Sequence, residues 1–552
     1  MKVDQNYIKL QNETSGNFKS LLEAYGLIEK RKLQDINSIA IDNNSWPRII
    51  IRQCYIEQTL KLKATCRELK FIDCYIEDIE LAVDHCPTLI FQDCSVGSLS
   101  IDKATNNGGT VIIESSSNDQ HTEGLSNIET LIFSGPSTTI NIEDTKIGTI
   151  HAVDRLNGLQ LSLLRCHITN PKDDAIRLLG NCSVTMNQTT TVEGGFEWTS
   201  SYGQLRLIES TIKKVLDIKN SLSLLTISIN SSNLGALSIQ NTNLGIISLF
   251  IEGAMVNNVK CRLVAFKEFW IGSSKTSLVS VNNIHLIECE VQKNSWIEID
   301  NCPIENLELN YFHNEGDIAI MNSRISQSLT IDHTTLGTSR FQNVELNDNI
   351  RFILLNSSII ETKFYTVDWM KNHQLVETKF PTETEDSIRL QYYLSLKESY
   401  RQLKAISLSA LNKFDALSFQ RHEQRIQKQI LRLRRETWDY LLLATNELFN
   451  NYGLSYTLPF KWLIGFHLLW FLIQIAIGGT FDYNLWNSTA PLDWNLTLKA
   501  CSEFVYTLFP FHGSEYLKGQ TGWPLIVDIL MRLTSGYFIY YFLSATRKFH
   551  LN

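Results

Sequence analysis

No CxxC pair and no cysteine–histidine cluster at zinc spacing occurs among the eleven cysteines of this 552-residue chain. That speaks against a zinc ribbon and a disulfide framework, and it suits reduced thiols in a cytosol. Net positive charge is missing too: at −8, the chain is not expected to take nucleic acid as a general partner. Met1 to Lys30 is polar and mixed in charge and lacks the apolar run of a signal peptide, so no secretory signal is expected there. The composition is not that of a disordered chain, and the length leaves room for two or three domains with proper cores.

Long uncharged runs are scarce, and one of them organises the rest. Twenty residues, Trp462 to Phe481, carry no formal charge; at ~1.5 Å per residue they reach across a ~30 Å hydrocarbon core. A second apolar and aromatic run extends from about Trp523 to Thr546, with Asp528 and Arg532 one helical turn apart. Charges at that depth are costly. Either the pair lies against protein or water inside a bundle, or the span begins nearer Leu533 and the pair sits at the interface. Arg432, Arg434 and Arg435 precede the first run and Arg547 and Lys548 follow the second, while Asp482 to Gly522 holds only Lys499 and Lys518. The positive-inside rule then places both termini in the cytoplasm and the connecting loop outside.

Residues 1–46 are read as a helical cap, because Phe18, Leu21, Leu22 and Tyr25 share one helical face and a solenoid needs its open end covered. From about Arg48 short apolar alternations are broken by Asn, Asp, Ser and Gly. Cys54, Cys74 and Cys94 are each twenty residues apart, as are Cys66 and Cys86, and RIIIRQCYIE, ELKFIDCYIE and TLIFQDCSVG align around them. A period near twenty with short strands predicts a mainly β fold, a right-handed parallel β-helix over 47–380, with room for roughly fourteen to sixteen coils. HLIECEV, AIMNSRI and ILLNSSI echo the pattern later. The laddered cysteines read as small wedges packed inside the solenoid.

NPKDDAIRL, with Asp173 and Asp174, looks like the paired-aspartate coil of polygalacturonase-type glycosidases, where two carboxylates act as acid and base. The glycine-histidine-glycine and arginine-isoleucine-lysine steps of that site are absent. Solvated turn aspartates, no catalytic residues, no metal and no cofactor are the expectation. A helical neck follows over 381–455: Asp386 caps a helix with Ile388, Leu394, Leu403 and Ile406 on its apolar face, and a second helix starts near Asn412. On that second helix Arg421, Arg425, Lys428, Arg432 and Arg435 form one basic stripe. It is either a solvated face or a contact for anionic lipid headgroups.

YRQLKAISLSALNKFDALSFQRHE, NELFNNYGLSYTLPFKWL and LTSGYFIYYFLSATRKF, in that order over about 385–552, resemble the C-terminal module of bacterial pentapeptide-repeat-type membrane proteins. The asparagine-leucine steps near Asn233 and Asn243 resemble degenerate pentapeptide repeats, although the five-residue pattern is matched poorly. The resemblance implies a bacterial inner-membrane protein and carries no established activity. Within 456–552, Trp494 to Phe509 is expected as an amphipathic helix broken at Pro510, so that span, short helix, loop and span resemble two-transmembrane channels. The TVGYG-type filter of potassium channels is absent from FVYTLFPFHG.

The reading is therefore a non-enzymatic membrane protein: a cytoplasmic β-helix that binds a protein or small-molecule ligand and controls an oligomeric, channel-like pair of spans. Asp528, Arg532, Glu503, Pro510 and His512 are its pore candidates. The competitors are a binding scaffold on an inert hairpin and, more distantly, a carbohydrate-active enzyme. Reporters fused at residue 1 and after residue 552 are expected to read cytoplasmic, and one inserted near Asn487 external; a cytoplasmic signal at Asn487 would remove the two-span topology.

Overall fold

The structure is a computed structural model. It describes residues 11–13, 27–29, 31–33, 39–41, 48–64, 66–82, 88–102, 109–115, 126–134, 138–152, 156–199, 202–219, 225–273, 279–370, 373–377, 380–381, 384–477, 494–513 and 522–550. The chain divides into two compact units, Met1–Glu377 and Thr378–Asn552.

The first unit is a parallel β-solenoid of about 12 turns. Each strand pairs in parallel with its equivalent one coil on: Glu68–Ile72 lies between Arg48–Arg52 and Thr88–Gln92, with Phe71 opposite Phe91. Those two rings stack at 4.9 Å, which is the strand spacing itself. Alternation sends Ile49, Ile51, Leu69, Phe71, Leu89 and Phe91 into a continuous apolar interior. The count falls below fourteen to sixteen because the twenty-residue coil is local. Later coils separate equivalent residues by 21 to 23 positions, and the step from Ser95 to Asn127 carries a longer insertion. Of residues 1–46, those described are short strands, and they pair in parallel with the coils that follow. Coil stacking thus starts ahead of residue 47, and the expected helix through Phe18 to Tyr25 lies outside the described residues, as does Cys86.

The cysteine repeat marks the solenoid corner. Gln53, Asp73 and Asp93 have φ near +50°, a region that Asn and Asp tolerate best among side-chain-bearing residues. Their N–H groups donate to Ile72 O, Gln92 O and Glu114 O of the next coil. The residue that follows each of them, Cys54, Cys74 or Cys94, points inward and is buried, and its thiol donates back to the carbonyl two residues earlier. Serine and threonine take the same place on later coils: Thr145, Ser210, Ser232, Ser323, Thr334 and Ser357 each make the same return bond. Burial pushes the Cys74 thiol well up and those of Cys166 and Cys289 up to about 12. They are wedges held in the protonated form, poor as nucleophiles and as ligands.

The second unit is helical. Helices α1 (Asp386–Ser409) and α2 (Lys413–Arg434) form an antiparallel hairpin. The second helix starts where expected, and Asn412 caps it by accepting from Asp415 N at 3.2 Å. The face of α1 is the expected one in part: Leu403 and Ile406 are buried, together with Leu396 and Tyr400, whereas Ile388 and Leu394 are 54% and 40% exposed. Asp386 stands in the first turn and Glu385 occupies the cap position. A third helix, α3 (Thr437–Asn450), was not expected. Then come α4 (Thr457–Ile477), α5 (Trp494–Leu508) and α6 (Trp523–His550). Both α4 and α6 are long and apolar enough to cross a membrane, and only 22% and 28% of their apolar windows are buried among the described residues.

Replacing Cys74 by Asp strands a carboxylate among apolar neighbours and is expected to cost ~3 kcal/mol or more, whereas Cys74→Ala loses a small wedge and costs about 1 kcal/mol. Denaturant midpoints of the full chain measure both; equal, small shifts would place the cysteines on the surface.

Candidate functional site

Six buried polar side chains gather where α4, α5 and α6 meet: His467, Gln474, Thr507, His512, Asp528 and Ser535. Their contacts set the depth of each piece. Gln474 Nε2 donates to Pro524 O at 2.8 Å, His467 Nδ1 lies 3.4 Å from Ser535 Oγ, and Phe460 meets Phe542, so α4 and α6 run antiparallel side by side. His467 is midway along α4. Its Nε2 lies 3.0 Å from Phe504 O and 3.2 Å from Thr507 Oγ1, and its ring packs edge-on against Phe504. The C-terminal end of α5 therefore comes in to half the length of the two apolar helices.

Proline explains why the helix stops there. Pro510 lacks the N–H that another turn would need, and the chain folds back through Phe509 to Gly513. His512 N donates to Phe509 O and Gly513 N to Tyr506 Oη, at 3.1 and 2.9 Å. Pro510 packs close to Gly536, midway along α6: a Cβ built there would lie 3.8 Å from Pro510 Cβ, in ordinary contact. From this turn the His512 ring points at α6, and Nε2 lies 2.9 Å from Asp528 Oδ1. Arg532, one turn along α6, donates from Nε to Asp528 Oδ2 at 2.8 Å. Asp528 is 2% exposed, so its carboxylate lies against protein, while the Arg532 side chain is 29% exposed.

Of the five expected pore residues, the structure joins Asp528, Arg532 and His512 directly and sets Pro510 beside them. Glu503 is half-exposed on α5, where its carbonyl accepts from Thr507 Oγ1 at 2.8 Å. His467, Gln474, Thr507 and Ser535 were missed: single polar residues in an apolar run give no spacing signal until the run is folded against a partner.

The basic stripe on α2 is divided. Lys428 forms an ion pair with Glu447 of α3. Arg421 and Arg425 lie close enough to Tyr452 to oppose the upward push that burial gives its phenol. Arg432 and Arg435 are exposed, the latter with φ +60° at the end of α2. On the solenoid, Asp173 is an exposed turn residue paired with Lys214 at 2.9 Å. Also on the solenoid, His285 lies against Glu308 and His333 against Asp332.

His512 and Asp528 can be tested as a pair. His512→Leu leaves the carboxylate with one partner fewer and is expected to destabilise the protein in detergent, while the added Asp528→Leu restores part of the loss, a coupling of about 0.5–2 kcal/mol. Additive effects would mean that the two side chains do not meet.

Against known proteins, no family model matches this chain, and no curated protein or solved structure matches it either.

Proposed function

We propose that this chain is a membrane protein in which the β-solenoid controls an oligomeric, channel-like module built from α4, α5 and α6. The observation that carries this reading is the depth of the Phe509–Gly513 turn. With α4 and α6 crossing the bilayer, the turn lies at mid-membrane. Irregular backbone is tolerated at that depth only against protein or water. One face of the turn is covered by α6, and among the described residues Phe511 is 95% exposed; in this reading a second copy or a water-filled path lies against it, as a ring of such turns around a central axis would supply. In this reading the chain does no covalent chemistry. Its substrates are ions, and the His512–Asp528–Arg532 cluster stands beside their route. A ligand on the solenoid is the proposed trigger, and the orientation with both termini in the cytoplasm of a bacterial inner membrane belongs to the same reading.

One observation favours the alternative, a scaffold on an inert hairpin. Asp528, His467 and Gln474 all find partners within one copy, so their polarity does not itself demand a neighbour. The two readings separate on assembly and conductance. The full-length protein in nanodiscs is expected to be oligomeric and to carry a cation or anion leak in planar bilayers. Asp528→Asn or Arg532→Gln should change that leak, and Asp528→Leu with Arg532→Leu should insert but abolish it. A monomer in nanodiscs that never conducts would leave the anchor reading standing.

A further inference from the structure

Helix α3 presents an apolar stripe that nothing in the described chain covers. Trp438, Leu441, Leu442 and Leu448 lie within about a third of the helix circumference at ~100° per residue, and all four are exposed, Trp438 at 83% and Leu442 at 65%. The opposite side is polar and engaged, with Glu447 tied to Lys428 of α2. At its C-terminal end the stripe runs into Phe449, whose ring meets Trp462 and Phe466 of α4 and Phe538 of α6. In addition, Trp462 Nε1 donates to Leu448 O at 3.2 Å. The helix is thus fixed at the end of the span pair where α4 begins.

Length, charge and position together select its occupant. Fourteen residues make ~21 Å of helix, short of a ~30 Å hydrocarbon core. The helix therefore cannot cross, but its position and amphipathic faces suit it to lie in the interface. Arg432, Arg434 and Arg435 are exposed immediately before it, where the left-handed turn at Arg435 swings the chain from α2 into α3. A tryptophan and leucines on one side, with arginines at the entry, is the chemistry of a helix that lies in an anionic membrane surface. We propose that α3 is such an interfacial helix, its apolar stripe sunk at the boundary of headgroups and acyl chains and its leading arginines on lipid phosphate. This rests on the reading that α4 and α6 span the membrane. It moves the lipid contact from the stripe through Arg421, Arg425 and Lys428 to the exposed end of α2 and the length of α3.

The test uses the full-length protein in nanodiscs of phosphatidylglycerol mixed with phosphatidylcholine. A photoreactive benzoylphenylalanine replaces Leu442 in one sample and Leu472, an exposed residue of α4, in another. Lipid adducts are expected at both positions. The yield at 442 should fall about two-fold or more in pure phosphatidylcholine, while that at 472 stays constant. Lipid adducts at 472 together with protein adducts at 442, to a second copy or to the solenoid, would overturn the interfacial role alone. So would equal yields at 442 in both lipids, as far as the anionic preference goes. An absence of lipid adducts at 472 would overturn the spanning reading and the interfacial helix with it.

Discussion

A backbone N–H removed from water must find an acceptor inside the protein, and both units of this chain are built around that requirement. In the solenoid the acceptor is one coil away, so each strand is half of a bond that its neighbour completes. The corners are where the arrangement would fail, because a turning chain leaves the ladder. Here the left-handed residue keeps its N–H aimed at the next coil, and the inward thiol or hydroxyl returns to the carbonyl two residues back. The corner is thereby closed without water. The interior on either side can then be wholly apolar, as the burial of Ile51, Phe71 and Phe91 shows.

This explains which part of the solenoid was legible. Cys54, Cys74 and Cys94 stood out because a rare residue recurred at one interval. Their inward placement followed from the alternation around them. Ser210, Ser232, Ser323 and Thr334 do the same work but are common residues, and their interval drifts as coils lengthen, so the repeat faded although the corner persisted. The coil number was overestimated for the same reason. A corner residue is constrained by its return bond, whereas the length of chain between corners is constrained only by closure.

Among the helices, the turn near Asn412 and the two apolar runs were readable because each is a local property. The buried face of α1 was legible in part: Leu403 and Ile406 are on it, with Leu396 and Tyr400, the last stacked on His422 of α2. Leu394 is nine residues from Leu403, ~180° around the helix, and Ile388 shares the angle of Ile406 but stands in the first turn of α1. Helix α3 escaped notice because its apolar residues follow a basic stretch and precede a span, where they read as part of either. His512 and Asp528 were both singled out, but that they form a pair required the fold-back at Pro510, which no periodicity encodes.

The bonds that His512 and Arg532 make to Asp528 are carried differently. Arg532 is carried on the same helix, so its bond survives any rigid motion of α6. His512 belongs to the turn after α5, and its bond is lost as soon as that turn separates from α6. Such a separation would take from a buried carboxylate its contact with the His512 ring. In an apolar medium that is costly unless water follows. The turn and the polar cluster are therefore coupled through the His512–Asp528 bond: in the proposed pore, a turn that moved off α6 would need water in its place.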